Sequence, residues 1–192
     1  MFKKLFPKDN LIKAQFYSTF LYAIAWPPIQ IVLMHAIDSR LLAISTMMSC
    51  ISSIIIGKLW NEYKDKLYKF YNLFLILEVI TEIVIAFIAI ISNNYLLYYI
   101  LSIFITAIIT KNITYGNNIL IAKKYNTEDE KVVYSNNSSI FYNAATLVGS
   151  TIILFIQPPI WFSFILMFFG LTIDNIFYSI EYKKERTEGY DK

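Results

Sequence analysis

Reactive and metal-binding side chains are scarce in this sequence. Its 192 residues include one cysteine and one histidine, so an internal disulfide is excluded and the Cys and His clusters that hold metal ions do not occur. No serine or cysteine nucleophile stands with the histidine in a recognisable motif, and no glycine-rich phosphate loop is present. We therefore predict that the chain is not an enzyme, needs no cofactor and binds no metal.

Charged residues are scarce as well. They make up 16% of the chain, against about a quarter in soluble domains, whereas 57% of the residues are hydrophobic and the mean hydropathy is +0.51. This composition excludes a surface that faces water on all sides, so we expect a lipid bilayer to be the main solvent. The net charge of +3 comes from basic residues in short connections between apolar runs, and no nucleic-acid partner is expected.

Six long apolar runs dominate the rest of the chain. A bilayer core of about 30 Å needs roughly 20 helical residues to cross it, and the runs are continuous, unlike the alternating strands of membrane barrels. The predicted spans are residues 14–34, 41–60, 70–91, 95–122, 139–156 and 160–180. We therefore predict an all-α integral membrane protein with one six-helix domain over residues 14–180, a cytoplasmic N-terminal segment over 1–13 and a cytoplasmic tail over 181–192.

The basic residues predict the orientation of these spans. Lysines cluster in the N-terminal segment, in the second and fourth connections and in the tail, whereas the opposite side holds only Arg40. By the positive-inside rule, both termini are then cytoplasmic. We expect the longest inner connection, residues 123–138 with its acidic run from Glu128, to be a solvated loop. The frequent Ile, Asn, Lys and Tyr are typical of AT-rich bacterial genomes, which favours a multi-pass protein of a bacterial plasma membrane.

Two stretches of sequence resemble a known family. Gly57, near the end of the second span, is followed by a charged stretch up to Lys66, and a run of small residues from Ser138 to Gly149 leads into the fifth span. With six spans, inner termini and the longest inner loop before the fifth span, this pattern resembles the N-terminal half of a major facilitator superfamily transporter. Asn61 stands where the family has an aspartate.

The resemblance implies an architecture and a path. Transporters of this superfamily have twelve helices in two six-helix halves, and the first and fourth helices line a central cavity between the halves. One chain of this length would supply one half. It would then work as a homodimer, or as a heterodimer with another six-helix half.

Glu78, Glu82 and Lys111 lie deep within predicted spans, where charges are costly and are functional hypotheses by default. Glu78 and Glu82 are four residues apart and share one face of the third span. Lys111 lies roughly 16 Å from the inner end of the fourth span, at a depth that overlaps theirs. One hypothesis is a proton- or ion-coupling site, because two close carboxyls favour proton uptake by one of them. The other is a structural ion pair between Lys111 and a glutamate.

The first span contains two adjacent prolines, Pro27 and Pro28. Each proline removes a helical hydrogen bond and clashes with the preceding turn, so we predict a break or kink that frees carbonyl groups in the middle of the membrane. Interrupted helices line many transporter sites. Trp26 and Gln30 then present a ring and an amide to a substrate, with Lys111 as a third substrate-binding candidate. In the structural alternative, Gln30 bonds a freed carbonyl.

Two further polar groups are given structural interpretations. We expect Asp174, in the last span, to be satisfied by Asn175 or by an inner lysine. His35, Asp38 and Arg40 are expected to form a surface turn, with an outer gate or pH sensor as the alternative.

Three functions follow from this architecture. The leading hypothesis is a half-size transporter, similar to the major facilitator superfamily, for a small molecule or peptide. The second is a non-transporting accessory, immunity or regulatory protein that binds a peptide or another membrane subunit. The third is a substrate-binding membrane subunit of an importer driven by separate ATPase chains. A truncated twelve-helix transporter also stays open.

Overall fold

The computed structural model of the protein describes residues 8–187. In this part of the chain, six helices are long and apolar enough to cross a membrane, which confirms the predicted all-α architecture. Their bounds are α1 Asn10–Ala36, α2 Ser39–Lys69, α3 Tyr71–Ser92, α4 Tyr95–Lys124, α5 Glu128–Phe155 and α6 Ile160–Thr187. Below, "inner" denotes the side on which the sequence predicts both termini.

The helices continue farther into polar sequence on the inner side than the apolar runs predicted. α2 passes through Gly57 and continues to Lys69, with one non-helical residue, Tyr63, at φ −124° and ψ 26°. The resemblance implied that the helix ends at Gly57, and this expectation is wrong. α6 continues to Thr187, so most of the expected tail is helical.

The prediction that Glu128 lies in a solvated loop is wrong, because α5 begins at this residue. The Thr127 hydroxyl oxygen accepts a hydrogen bond from the Glu130 backbone N–H (3.2 Å), and the Glu130 carboxylate accepts one from the Thr127 N–H (3.1 Å). This reciprocal capping box satisfies two free N–H groups of the first turn and starts the helix. The acidic residues Glu128 and Asp129 also lie where the helix dipole favours negative charge.

α1 does not break at its prolines, so of the predicted break or kink the structure excludes the break. It remains helical from Asn10 to Ala36 with Pro27 and Pro28 inside it. The two rings still remove two backbone donors, so the carbonyls of Ala23 and Ile24 lose the partners that a regular helix would give them.

α4 contains an irregular turn in its middle. Residues Tyr95–Ile105 and Lys111–Lys124 are α-helical, and Thr106–Thr110 between them form a π-helical turn. Such turns widen the hydrogen-bonded loop by one residue and are frequent at functional sites.

The described residues form two compact units. The first comprises residues 8–29 and 119–187, which are most of α1, the inner end of α4, and α5 and α6. The second is Gln30–Asn118, which contains α2, α3 and most of α4. Within the second unit these three helices pack on one another.

Glycines allow close helix contacts within each unit. In the first, a Cβ atom on Gly149 of α5 would meet the Phe20 carbonyl oxygen at 2.9 Å, so α5 and α1 approach each other closely. In the second, Gly116 of α4 lies against the ring of Tyr71 on α3. Small residues provide such approaches where lipid gives no hydrophobic force between helices.

Candidate functional site

An open groove of about 320 Å³ lies between α1 and α5 of the first unit. It is lined by Thr19, Tyr22, Ala23, Trp26 and Pro27 of α1 and by Tyr142, Thr146 and Ser150 of α5. The α1 residues recur every three or four positions, and the α5 residues every four, so each set occupies one helix face. Gly149, next to Ser150, sets the close approach of α5 to α1 at this point.

The chemistry of the groove is aromatic and hydroxylic. Among the residues that the structure describes, every side chain that lines it is uncharged, and Trp26 leaves 44% of its surface exposed. The Thr146 hydroxyl donates to the Tyr142 carbonyl at 2.9 Å, which leaves its oxygen as an acceptor. Because Pro27 cannot donate to the Ala23 carbonyl, that carbonyl is a second acceptor. These groups suit an uncharged molecule with a ring and a donor.

The structure thus places one of the three predicted substrate-binding residues, Trp26, in a groove. Gln30 and Lys111 belong to the second unit, and their role in a substrate path stays a prediction. Sequence analysis missed Tyr22 and Tyr142. The four-residue spacing from Tyr22 to Trp26 was visible in the sequence, but their common partner on α5 was not.

A second polar site lies within the second unit, around the two glutamates of α3. Glu78 is buried, with 5% of its surface exposed, and its Oε1 accepts a hydrogen bond from the Thr110 hydroxyl at 2.7 Å. Glu82 accepts a hydrogen bond from the hydroxyl of Tyr98, itself a buried residue. The other carboxyl oxygen of Glu82, Oε2, is enclosed and has no hydrogen-bond partner. The two glutamates therefore receive donors from two positions of α4.

The π turn explains how both donors reach α3. Tyr98 and Thr110 are twelve residues apart, and twelve α-helical steps rotate the chain by about 1,200°, or about 120° past three full turns. The π turn takes up one extra residue, which reduces the offset to about 20°. Tyr98 and Thr110 consequently share one face of α4 and face the glutamates, which are four residues apart on α3.

Lys111 directly follows the π turn and is partly exposed. Between residues 8 and 187, the structure records no ion pair of Lys111 with Glu78 or Glu82. The glutamates have hydroxyl donors where the sequence suggested an ammonium group. The structural ion pair stays a prediction.

Ion pairs gather at the inner end of the first unit. The Lys124 ammonium nitrogen lies 2.8 Å from Asp9 Oδ2 and 3.1 Å from Glu181 Oε2, and the Tyr125 hydroxyl donates to Asp9 Oδ2 at 2.8 Å. Burial acts to raise the pKa of Asp9, but the hydrogen bonds from Lys124 and Tyr125 and the charge of Lys124 outweigh it and lower the pKa below its usual value. Burial and the bond to Asp9 raise the pKa of Tyr125. This network joins the residue just before α1 to the end of α4 and to α6.

Asp174 and His35 each have a polar partner within their own unit. Ser18 of α1 donates to Asp174 Oδ1 at 3.3 Å, within the first unit. His35 Nδ1 lies 2.7 Å from the Ile31 carbonyl oxygen. Asp38 caps α2, accepting a hydrogen bond from the Leu41 N–H at 2.8 Å, as expected of a surface turn.

Known proteins offer no match. No family model, no curated protein and no solved structure matches this chain.

Proposed function

We propose that this chain is a half-size membrane transporter similar to the major facilitator superfamily, which binds an uncharged aromatic small molecule or peptide in the groove of the first unit. It resides in a bacterial plasma membrane with its termini inside and acts as a dimer or with another six-helix half. The observation that carries the proposal is the open groove on α1 and α5, with an exposed Trp26 and the acceptor oxygens of Thr146 and Ala23 within apolar spans.

The composition of the two units supports the relationship. The first unit combines α1 with α5 and α6, and the second combines α4 with α2 and α3. If the chain is divided into α1–α3 and α4–α6, the first helix of each group packs with the last two helices of the other group. In the superfamily, each six-helix half consists of two three-helix repeats of inverted topology. An exchanged pattern of this kind is consistent with two such repeats, although no sequence repeat is evident.

A partner follows from the location of the path. In the resembled fold the path lies between two halves that are related by an axis along the membrane normal, so one half cannot enclose it. Two copies with the same orientation satisfy that relation through a two-fold axis. Gln30 is exposed on α1 and is a suitable crosslinking position. With Cys50→Ser as background, we expect Gln30→Cys to give a disulfide-linked dimer in native membranes. A strictly monomeric protein would favour the accessory function instead.

The groove itself is tested by fluorescence with a heavy-atom probe. Of the three tryptophans, only Trp26 lines the groove. Variants that keep only Trp26 or only Trp161, which is also exposed, are titrated in lipid nanodiscs with 4-bromophenol, an uncharged aromatic quencher. We expect saturable quenching of Trp26 and only linear quenching of Trp161, because the latter reports partition of the probe into lipid. Linear quenching of both would contradict the proposal.

A pair of substitutions checks that the saturable component belongs to the groove. Ser150→Phe fills the groove from α5 and should abolish saturation at Trp26. Leu154→Phe, one turn farther on the same helix at a position that is 78% exposed, should leave saturation unchanged. Because 4-bromophenol crosses lipid unaided, transport is distinguished from binding by uptake into proteoliposomes of an uncharged aromatic glycoside that does not cross lipid by itself.

A further inference from the structure

We propose that Glu78 and Glu82, with Tyr98 and Thr110, form a site that binds one exchangeable proton within the membrane-spanning part of the second unit. The site would supply the coupling ion of the transporter. That use rests on the proposed function, whereas proton binding itself does not.

The hydrogen bonds of Glu82 favour its protonated form. An ionised carboxylate in an apolar interior is tolerated only when it is paired and hydrogen-bonded. Glu82 accepts from Tyr98, while its Oε2 is enclosed without a donor. A charged Glu82 would therefore leave one oxygen buried and unsatisfied. Addition of one proton to that carboxylate removes the charge, and no other reactant is needed.

The second carboxyl adds to this preference. Glu78 lies one helical turn away and is almost fully buried, so two negative charges on this face would repel each other in a medium of low polarity. One proton bound by either carboxyl leaves at most one charge on the pair. The Thr110 hydroxyl, 2.7 Å from Glu78 Oε1, stabilises that remaining charge.

The other titratable groups of the unit leave this balance in place. In the apolar part of α4 the positively charged residue is Lys111, which forms no ion pair with either glutamate between residues 8 and 187. The hydroxyl of Tyr99, also on α4, donates to Ser45 at 3.1 Å. The apolar part of α2, residues 41–57, has Cys50 as its one titratable residue, and Cys50 is exposed. α2 thus brings no charge to the pair.

The π turn gives the site a means of changing its proton affinity. Conversion of the turn to regular α-helix would rotate Thr110 by about 100° relative to Tyr98. Glu78 would then lose its hydrogen bond from Thr110, whereas Glu82 would keep its hydrogen bond from Tyr98. A change in α4 that accompanies transport can in this way release or retain the proton.

Infrared spectroscopy of the protein in lipid nanodiscs tests the proposal directly, because a protonated buried carboxyl has a carbonyl stretch that a carboxylate lacks. We expect the wild-type protein to show this band at neutral pH and to lose it on alkaline titration. Glu82→Gln should remove the band. Glu62→Gln, at an exposed position of α2, and Asp174→Asn, at the carboxyl in α6, should leave it unchanged.

Two outcomes would overturn the proposal. One is a wild-type protein that lacks the band at every pH at which it stays folded, a result that needs no variant to fold. The other is a band that persists in both Glu78→Gln and Glu82→Gln. The 4-bromophenol titration is independent of both: loss of saturation at Trp26 with the infrared band retained would reject the transporter and keep the proton site.

Discussion

The ion pairs of Lys124 allow a quantitative test of how the first unit is held together at its inner end. Lys124 contacts Asp9, which precedes α1, and Glu181 of α6. Its side chain is 16% exposed and that of Glu181 is 4% exposed. Lys124→Met keeps the apolar stem of the side chain and removes its charge, which leaves two carboxylates without their common cation.

The magnitude follows from the burial of these groups. Loss of one partner of a buried ion pair costs about 3–5 kcal/mol. Asn10 still donates to Glu181 at 2.7 Å, and Asp9, which is a quarter exposed, is partly hydrated, so we expect the lower end, about 3 kcal/mol. As a control, Lys131 pairs with Glu128 at 2.7 Å, where the two side chains are 42% and 86% exposed. Lys131→Met should therefore cost only about 0–1 kcal/mol.

The assay is the free energy of unfolding from denaturant titration in mixed detergent micelles. Lys124→Met combined with Glu181→Gln should recover much of the loss, because the second change removes the stranded charge. Equal stability of Lys124→Met and Lys131→Met would refute the reasoning. A double variant no more stable than Lys124→Met would show that Glu181 is not the group left unpaired.

Further predictions concern pH, packing and topology. Because folding lowers the pKa of Asp9, its contribution to stability is present above the unfolded value and is lost as pH falls through the folded pKa; Asp9→Asn should flatten this acid dependence in melting temperature. Gly149→Ala should destabilise by about 1–3 kcal/mol through its clash with α1, whereas Gly170→Ala, whose nearest contact would be 3.3 Å, should change unfolding free energy by less than about 1 kcal/mol. In the Cys50→Ser background, Asn94→Cys should react with impermeant thiol reagents outside intact cells and Asp129→Cys should not; the reverse pattern would contradict the topology.

Hydropathy alone was enough to find the six helices. A membrane core requires about 20 apolar residues per crossing, and that requirement is written locally in the sequence. The inner ends were not recoverable in the same way. Thr127 and Glu130 start α5 through a cap made of polar atoms, and α2 continues to Lys69 through charged residues. Hydropathy identifies the residues that face lipid, and a helix that continues into water no longer needs apolar residues there.

The sequence also identified several candidate site residues but not the residues that contact them. It singled out Trp26 because this ring lies beside two prolines, and Glu78 and Glu82 because carboxyl groups are rare in an apolar span. Both features are visible in the sequence alone. It suggested Lys111 as the partner of the glutamates from depth alone. Depth fixes the level at which two residues meet but leaves the rotation of each helix undetermined.

Rotation was decided by the tertiary structure. The π turn of α4 brings Tyr98 and Thr110 onto one face, and the glycine contact at Gly149 brings α5 against α1 to form the groove. The hydrogen bond of Thr110 to Glu78 and the contact of Gly149 with α1 both join segments far apart in the chain. A helix in lipid can satisfy all its backbone hydrogen bonds alone, so its formation is local, but the face it turns to a neighbour is set by close packing of side chains on both helices.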